Sequence, residues 1–186
     1  MEHKHSGKSS KRFLDTKKIL NELNLNHGQI VIDAGCGDGY FSMLMANEIG
    51  TSGKIYSVDS HDDSIILLNK NMRDDSILNI IPIISDIKNV PIKKGIADIY
   101  YMSNVLHGFD DVEKVVVLKN ANDLLKADGK IGIVEFKKEE LPIGPSTDIK
   151  LSEEDLINLV SNNGFDFLRS VEVGDYSNFF IFKKNN

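Results

Sequence analysis

The sequence predicts an α/β protein with a doubly wound, mostly parallel sheet of seven strands, a C-terminal antiparallel hairpin, and helices on both faces. Between residues 29 and 136, five apolar runs of strand length alternate with helix-like segments. This alternation is typical of a parallel sheet covered by helices on both sides. After residue 150, one helix-like segment precedes two strand-like runs joined by a short turn. That order predicts a final hairpin that completes the sheet.

The five parallel strands are read from apolar runs. These are QIVIDA (29–34), KIYSVD (54–59), ILNIIPIIS (77–85), ADIYYMS (97–103) and KIGIVEF (130–136). Nearly continuous apolar runs are expected where both faces of a strand are buried. Pro82 lies inside the third run and has no N–H for the strand ladder, so this strand is placed at an edge of the sheet.

Helices are predicted before and between these strands. They cover RFLDTKKILNELNL (12–25), YFSMLMANEIG (40–50), DDSIILLNKNMRDD (62–75) and DVEKVVVLKNANDLLKADG (111–129). Gly50 and Gly129 are placed at helix C-termini, where glycine is common.

The last third of the chain supplies one helix and the hairpin. LSEEDLINLVSNNGF (151–165) is predicted to be helical, because Ser152 and Asp155 have capping-box spacing. FDFLRSVEV (165–173) and NFFIFKK (178–184) are predicted to be the two hairpin strands.

Charge divides the chain into a basic arm and an acidic body. The net charge is −6, and the first 20 residues carry six basic against two acidic side chains, which leaves −10 for the remainder. An acidic body is a poor match to nucleic acid, whose binding depends on neutralising phosphates. We expect residues 1–12 to be a flexible basic arm and residues 13–186 to be a single domain.

Composition also limits the compartment and the metal chemistry. The chain contains no apolar run of membrane-spanning length and no N-terminal signal pattern. Its one cysteine, Cys36, excludes an internal disulfide and a multi-cysteine metal site. His3 and His5 lie on the predicted arm without fixed geometry, so no metal site is expected. We expect a cytoplasmic protein, and the oligomeric state stays open.

Acidic residues occur where the first strands end. Asp33, Asp59 and Asp86 are 26 and 27 residues apart, one strand-helix unit each time, and the fourth strand ends at Ser103. In an open α/β sheet, ligands bind beyond these strand ends. Carboxylates there would repel phosphates and favour a ligand with hydroxyls, amines or a positive charge.

The glycine pattern after the first strand narrows the ligand further. Gly35, Gly37 and Gly39 form G-x-G-x-G, and Tyr40 occupies the place of the last glycine in a dinucleotide-binding motif. No Gly-Lys-Ser/Thr sequence follows, which excludes a P-loop. The cofactor is therefore expected to be nucleoside-like and without phosphate.

With these motifs, the sequence resembles the class I S-adenosylmethionine-dependent methyltransferases, in particular the small enzymes of the quinone-biosynthesis, type-11-like branch. The matching segments, in family order, are VIDAGCGDG, IYSVDS, IISDIKNVPI, ADIYYMSNVLHGFDD and LLKADGKIGIVEF. The resemblance covers about residues 14–184 and implies a Rossmann-like fold. It implies S-adenosyl-L-methionine as cofactor and S-adenosyl-L-homocysteine as product.

The resemblance also implies roles for individual residues. Those implied to contact the cofactor are Asp33, Gly35, Cys36, Gly37, Gly39, Tyr40, Asp59, Ser60, Asp86, Ile87 and Ser103. Asp33 and the glycines would face the methionine part and Asp59 the ribose hydroxyls. Asp86 and Ile87 would contact the adenine. The alternatives are that Asp33 caps a turn and Asp59 a helix.

His107 is the candidate catalytic residue. It lies in NVLHGFDD, just after the fourth strand. Histidine titrates near neutral pH and could take a proton from an acceptor; the alternative is that His107 only lines the pocket. The long segment 137–150 leaves the fifth strand on the same side and is a candidate substrate wall.

The predicted function is methyl transfer to a small-molecule acceptor by in-line displacement. The acidic body and the absence of a large inserted domain favour a small molecule. Three alternatives stay open. They are an RNA or protein methyltransferase that uses the basic arm, a non-catalytic protein that binds the cofactor and regulates a partner, and a nicotinamide-dependent oxidoreductase.

Overall fold

The computed structural model describes residues 13–185, and the predicted arm of residues 1–12, with His3 and His5, lies outside the described residues. The helices are α1 (Thr16–Leu23), α2 (Tyr40–Ile49), α3 (Asp62–Asp74), α4 (Asp111–Leu124) and α5 (Glu153–Ser161). The strands are β1 (Ile30–Ala34), β2 (Lys54–Asp59), β3 (Ile80–Ile84), β4 (Ala97–Ser103), β5 (Leu125–Phe136), β6 (Phe165–Glu172) and β7 (Ser177–Lys184). Short 3₁₀ turns lie at Leu106–Gly108 and Thr147–Ile149.

The seven strands form one sheet in the order β3-β2-β1-β4-β5-β7-β6. Strands β1 to β5 pair in parallel, whereas β7 runs antiparallel to both β5 and β6. The predicted doubly wound sheet with a C-terminal hairpin is therefore confirmed. The edge position of β3, predicted from Pro82, is confirmed as well.

Helices cover both faces of the sheet, as predicted. Helices α4 and α5 pack on one face and α1, α2 and α3 on the other. Tyr100 and Tyr101 are neighbours on β4 and both are fully buried, one in each of the two cores. This opposite placement follows from the alternation of side chains along a strand.

The predicted end of α4 is wrong. The sequence placed Gly129 at its C-terminus, but the helix ends at Leu124 and Gly129 lies within β5. Leu125 is fully buried and pairs with Ala97 of β4. This tertiary pairing overrides the local preference of the segment LLKADG for a helix.

Candidate functional site

The parallel strands bring the predicted polar residues to one edge of the sheet. Asp33 lies near the end of β1, Asp59 ends β2, and Ser103 ends β4. Asp86 follows β3 by two residues, and the last pair between β2 and β3 joins Asp59 to Ile84. Residues distant in sequence thus lie along one edge of the sheet, at the carboxyl ends of neighbouring strands, where ligands bind in open α/β sheets.

The three glycines of the loop after β1 all have positive φ angles, at 75°, 55° and 78° for Gly35, Gly37 and Gly39. A β-carbon would lie 2.5 Å from a Val105 methyl group at Gly35 and 2.2 Å from Leu68 Cδ1 at Gly39. At Gly37 a β-carbon would meet no atom within 4 Å. The outer glycines are required by packing, and the middle one leaves room for a ligand to approach the backbone.

Asp59 connects this loop to the start of α3. The Gly37 N–H donates to Asp59 Oδ2 over 2.9 Å, and the His61 N–H donates to Asp59 Oδ1 over 2.9 Å. The imidazole Nδ1 of His61 lies 3.1 Å from the same Oδ1 atom. The carboxylate is therefore held between two backbone amides, in a position where ribose hydroxyls could reach it.

Asp33 lies beneath the loop and is almost fully buried. Its Oδ2 atom accepts a 2.5 Å hydrogen bond from Ser42 Oγ, and Ser42 Oγ accepts one of 2.7 Å from Ser57 Oγ. Burial, opposed by the Ser42 hydrogen bond and reinforced by the charges of Asp59 and Asp38, raises the pKa of Asp33 from 3.8 to about 7. Asp33 is thus poised between its charged and neutral forms near neutral pH.

Three further predicted residues lie in the loop, directly after it, or directly after Asp59. Cys36 is buried, and burial raises the pKa of its thiol, which stays protonated. Tyr40 begins α2, and its N–H donates to Asp38 Oδ1 over 3.1 Å. Ser60 is exposed, with Oγ 3.4 Å from His61 Nδ1.

Asp86 and Ile87 follow β3 and differ in exposure. About half of the Asp86 side chain is exposed, and its Oδ1 atom accepts a 2.9 Å hydrogen bond from the Lys88 N–H. The Lys88 ammonium lies 3.4 Å from Asp86 Oδ2 and 2.5 Å from Glu113 Oε1. Ile87 is buried in the core beneath α4 and α5.

His107 is buried against an acid that sequence reasoning missed. Its Nδ1 atom lies 2.6 Å from Glu135 Oε2, and its N–H donates to Glu135 Oε1 over 3.2 Å. Each side chain is only 4% exposed. Glu135 lies near the end of β5 in KIGIVEF, so extending the search for strand-end acids to the fifth strand would have found it.

Asn104 is a second residue without an assigned role in the sequence reading. It follows β4 with a positive φ of 56°, and its N–H donates to Val134 O over 2.8 Å. Both polar atoms of its side-chain amide are buried and have no hydrogen-bond partner among the described residues. Buried amides normally have partners, so this one is available to a ligand.

Two kinds of site are not found in the described part of the chain. Among residues 13–185, no group of three or more His, Cys, Asp or Glu side chains is arranged to hold a metal ion. Within the same range, no helix is both long enough and apolar enough to cross a membrane.

The comparison with protein families identifies the class. A model described as a methyltransferase domain matches residues 25–172, and the chain belongs to this family. The resemblance to the class I S-adenosylmethionine-dependent methyltransferases is thereby confirmed. The chemistry of this class is methyl transfer, and its cofactor is S-adenosylmethionine.

Individual relatives agree with this class. The chain is 29% identical over 161 residues to a demethylmenaquinone methyltransferase of Lactobacillus johnsonii, a match that covers 86% of this chain and 62% of that protein. The chain thus spans less than two thirds of that relative's length.

Solved structures share the fold. A SAM-dependent methyltransferase from Aquifex aeolicus is 24% identical, with a TM-score of 0.87 over 95% of this chain and 94% of that one. A putative type 11 methyltransferase from Sulfolobus solfataricus is also 24% identical, with a TM-score of 0.69 over 97% and 95% of the two chains.

Proposed function

We propose that this chain is an enzyme that transfers a methyl group from S-adenosylmethionine to a small-molecule acceptor. The observation that carries the proposal is the glycine loop held by Asp59, with open space beside Gly37. When bound, the cofactor supplies a methyl group on a sulfonium, and the carbon–sulfur bond breaks as the acceptor's lone pair forms the new bond. The protein's task is to align the two reactants and exclude water.

Different residues of the site contact different parts of the cofactor. Asp59 accepts hydrogen bonds from the ribose hydroxyls, with Ser60 beside it. Asp33, below the glycine loop, attracts the positively charged methionine end in its ionised form, because opposite charges close together favour each other. Asp86 accepts from the adenine amine while it keeps its bond to the Lys88 N–H, and Ile87 packs nearby.

The remaining predicted contacts complete this binding mode. Tyr40 covers the ligand from the first turn of α2, Cys36 contributes its backbone, and Ser103 lies beneath the amino-acid end. Asn104 joins this set, because its unpartnered amide offers both a donor and an acceptor at the same strand end.

His107 acts as the general base, and Glu135 is its positioning residue. A carboxylate at Nδ1 favours the tautomer protonated there and makes Nε2 the basic nitrogen. Once an acceptor is known, Glu135→Gln should lower kcat while leaving the KM for S-adenosylmethionine nearly unchanged. A similar loss in both constants would assign the pair a purely structural role.

A small acceptor is supported by the acidic net charge and by the quinone-type relative. The Lactobacillus johnsonii protein is named for demethylmenaquinone, which is a quinone and neither a nucleic acid nor a protein. We extend only the size class to this chain, because the matched part covers 62% of that protein.

The first experiment is calorimetric titration with S-adenosylmethionine and S-adenosylhomocysteine, with NADH as a control ligand. We expect binding in the micromolar range, about −8 kcal/mol. Asp59→Ala should weaken it roughly 10- to 100-fold, because hydrogen bonds to a charged group contribute about 1.5–3 kcal/mol.

The matched control is Asp62→Ala, which removes an exposed acid three residues away in the first turn of α3. It should leave the affinity nearly unchanged. Absence of binding to either nucleoside by well-folded protein, or tight binding of NADH instead, would refute the proposal.

A further inference from the structure

A cavity lies at the end of the sheet beyond His107 and Glu135. Its volume is about 310 Å³, within the range of small-molecule sites. It is bordered by the end of β5, the start of β7 and the first turn of α5. Phe136, Leu151 and Phe180 form its apolar wall, and Glu135 and Asn178 form its polar floor.

The polar floor is set by strand register. Glu135 of β5 and Asn178 of β7 are directly opposed, and Asn178 is also opposed to Glu172 of β6. Side chains that are opposed in register point to the same face of the sheet. Three polar side chains therefore form a row across the floor, and all three line the cavity.

The side-chain oxygen of Asn178 has no hydrogen-bond partner in the described part of the chain. Its Oδ1 atom is buried and has no hydrogen bond to any described residue. Leaving a buried acceptor unsatisfied costs about 1–3 kcal/mol. A ligand that brings an N–H or O–H donor to this atom would recover that free energy.

The charges around the cavity disfavour anions. Its lining contains four carboxylates and two ammonium groups, on Glu135, Glu139, Glu153, Glu172, Lys137 and Lys138. Both lysines already have acidic partners. The Lys137 Nζ lies 2.6 Å from Glu172 Oε1, and the Lys138 Nζ lies 3.6 Å from Asp155 Oδ2. A carboxylate or phosphate would meet an excess of negative charge, whereas an ammonium group would be attracted.

We propose that this cavity binds the methyl acceptor, and that the acceptor is a small apolar molecule bearing an amine. The carboxylates attract the amine as an ammonium, Asn178 accepts one of its N–H groups, and Phe136 and Phe180 contact its apolar body. His107 takes one proton from the bound ammonium, so that the neutral amine has the lone pair that forms the nitrogen–carbon bond as the carbon–sulfur bond breaks. This inference rests on the proposed function. Glu135 links the cavity to the site, since the same side chain lines the cavity and holds His107.

The test compares three probes with the same phenyl body: 2-phenylethylamine, 2-phenylethanol and 3-phenylpropionate. Binding is measured by saturation-transfer NMR and by calorimetry, with S-adenosylhomocysteine present. The amine should bind most tightly and the alcohol more weakly, and 3-phenylpropionate should not bind. Equal or tighter binding of 3-phenylpropionate, or no binding of the amine, would overturn the inference.

Variants locate the binding. Asn178→Leu should weaken binding of the amine roughly threefold to tenfold through the lost hydrogen bond. Asn178→Asp keeps the shape of the side chain and should strengthen binding of the amine. Glu153→Gln should weaken binding of the amine by roughly twofold to fivefold, as expected for an exposed ion pair. Glu154→Gln, next to it but outside the lining, should leave that binding unchanged. Equal effects of the Glu153 and Glu154 variants would contradict binding in this cavity.

The two proposals fail separately. S-adenosylhomocysteine binding without amine binding leaves the methyltransferase proposal intact and overturns this one. Amine binding by protein that does not bind S-adenosylhomocysteine would overturn the assignment of the amine as methyl acceptor.

Discussion

At the residue scale, Asp33 makes the stability of the fold depend on pH. Its folded pKa of about 7 lies above the ordinary 3.8, so between these values the folded state holds a proton that the unfolded state releases. The stabilising contribution is complete below pH 4 and is lost as the pH rises through 7. Asp33→Asn should therefore be more stable than the natural protein at pH 8, by up to about 4 kcal/mol.

The measurement is urea unfolding of both proteins between pH 5 and pH 8.5. The difference between the two isolates Asp33, because the other carboxylates contribute equally to each. Their free energies of unfolding should diverge as the pH rises. Parallel curves would show that Asp33 keeps an ordinary pKa in the folded state.

The glycines of the loop should differ in their tolerance of alanine. Gly37→Ala adds only the left-handed backbone strain, about 1–2 kcal/mol. Gly39→Ala adds a clash with Leu68 as well, for a total of about 2–5 kcal/mol. Denaturant unfolding would measure both. Equal losses would mean that Leu68 moves aside, and Gly37→Ala should then still show the larger loss of cofactor affinity.

What the sequence reveals at this scale depends on how local the signal is. Asp59 was identified because it ends a strand, and a strand end is visible in a few neighbouring residues. The contact of His107 with Glu135 joins residues 28 positions apart, and only the register of β4 against β5 brings them together. The unpartnered amide of Asn104 and the unpartnered Oδ1 atom of Asn178 have no sequence signature, since being unpartnered is a property of packing.

At the element scale, the start of α4 is fixed by a capping box. Asp110 accepts from the Glu113 N–H over 2.8 Å, and Glu113 accepts from the Asp110 N–H over 3.3 Å. Asp110→Ala should destabilise the protein by about 1 kcal/mol. Thermal unfolding measures the loss, with the exposed Asp128→Ala as the control. A loss no larger than that of the control would show that the cap contributes nothing.

Strands were predicted more accurately than the end of this helix. The apolar runs located the strands, their alternation with helices predicted a parallel sheet, and Pro82 placed one strand at an edge through its missing N–H. Residues 125–128 were wrongly predicted to be helical because they suit a helix. They belong to β5 because Leu125 is buried against β4, which depends on distant residues.

At the scale of the whole molecule, cofactor binding should stabilise the fold. The proposed ligand contacts follow β1, β2, β3 and β4, so the bound state ties four strands of the sheet together. At a concentration 100 times its Kd, S-adenosylhomocysteine should add about 2.7 kcal/mol and raise Tm by roughly 5–10 °C. Differential scanning fluorimetry checks this. Asp59→Ala should show a much smaller Tm shift at the same concentration. An equal Tm shift would show that Asp59 does not contribute to cofactor binding.

The two edges of the sheet also bear on how the protein behaves at high concentration. Pro82 lies in the outermost strand on one side, and the pairing of β6 on the other side shifts register between Phe167 and Arg169. Regular, unbroken edge strands are templates for intermolecular β-pairing, and a proline or a bulge disrupts them. Replacing Pro82 by valine would restore a donor to an outer strand that is otherwise isoleucine throughout. The same proline that locates β3 at the edge is therefore expected to disfavour intermolecular β-pairing along that edge.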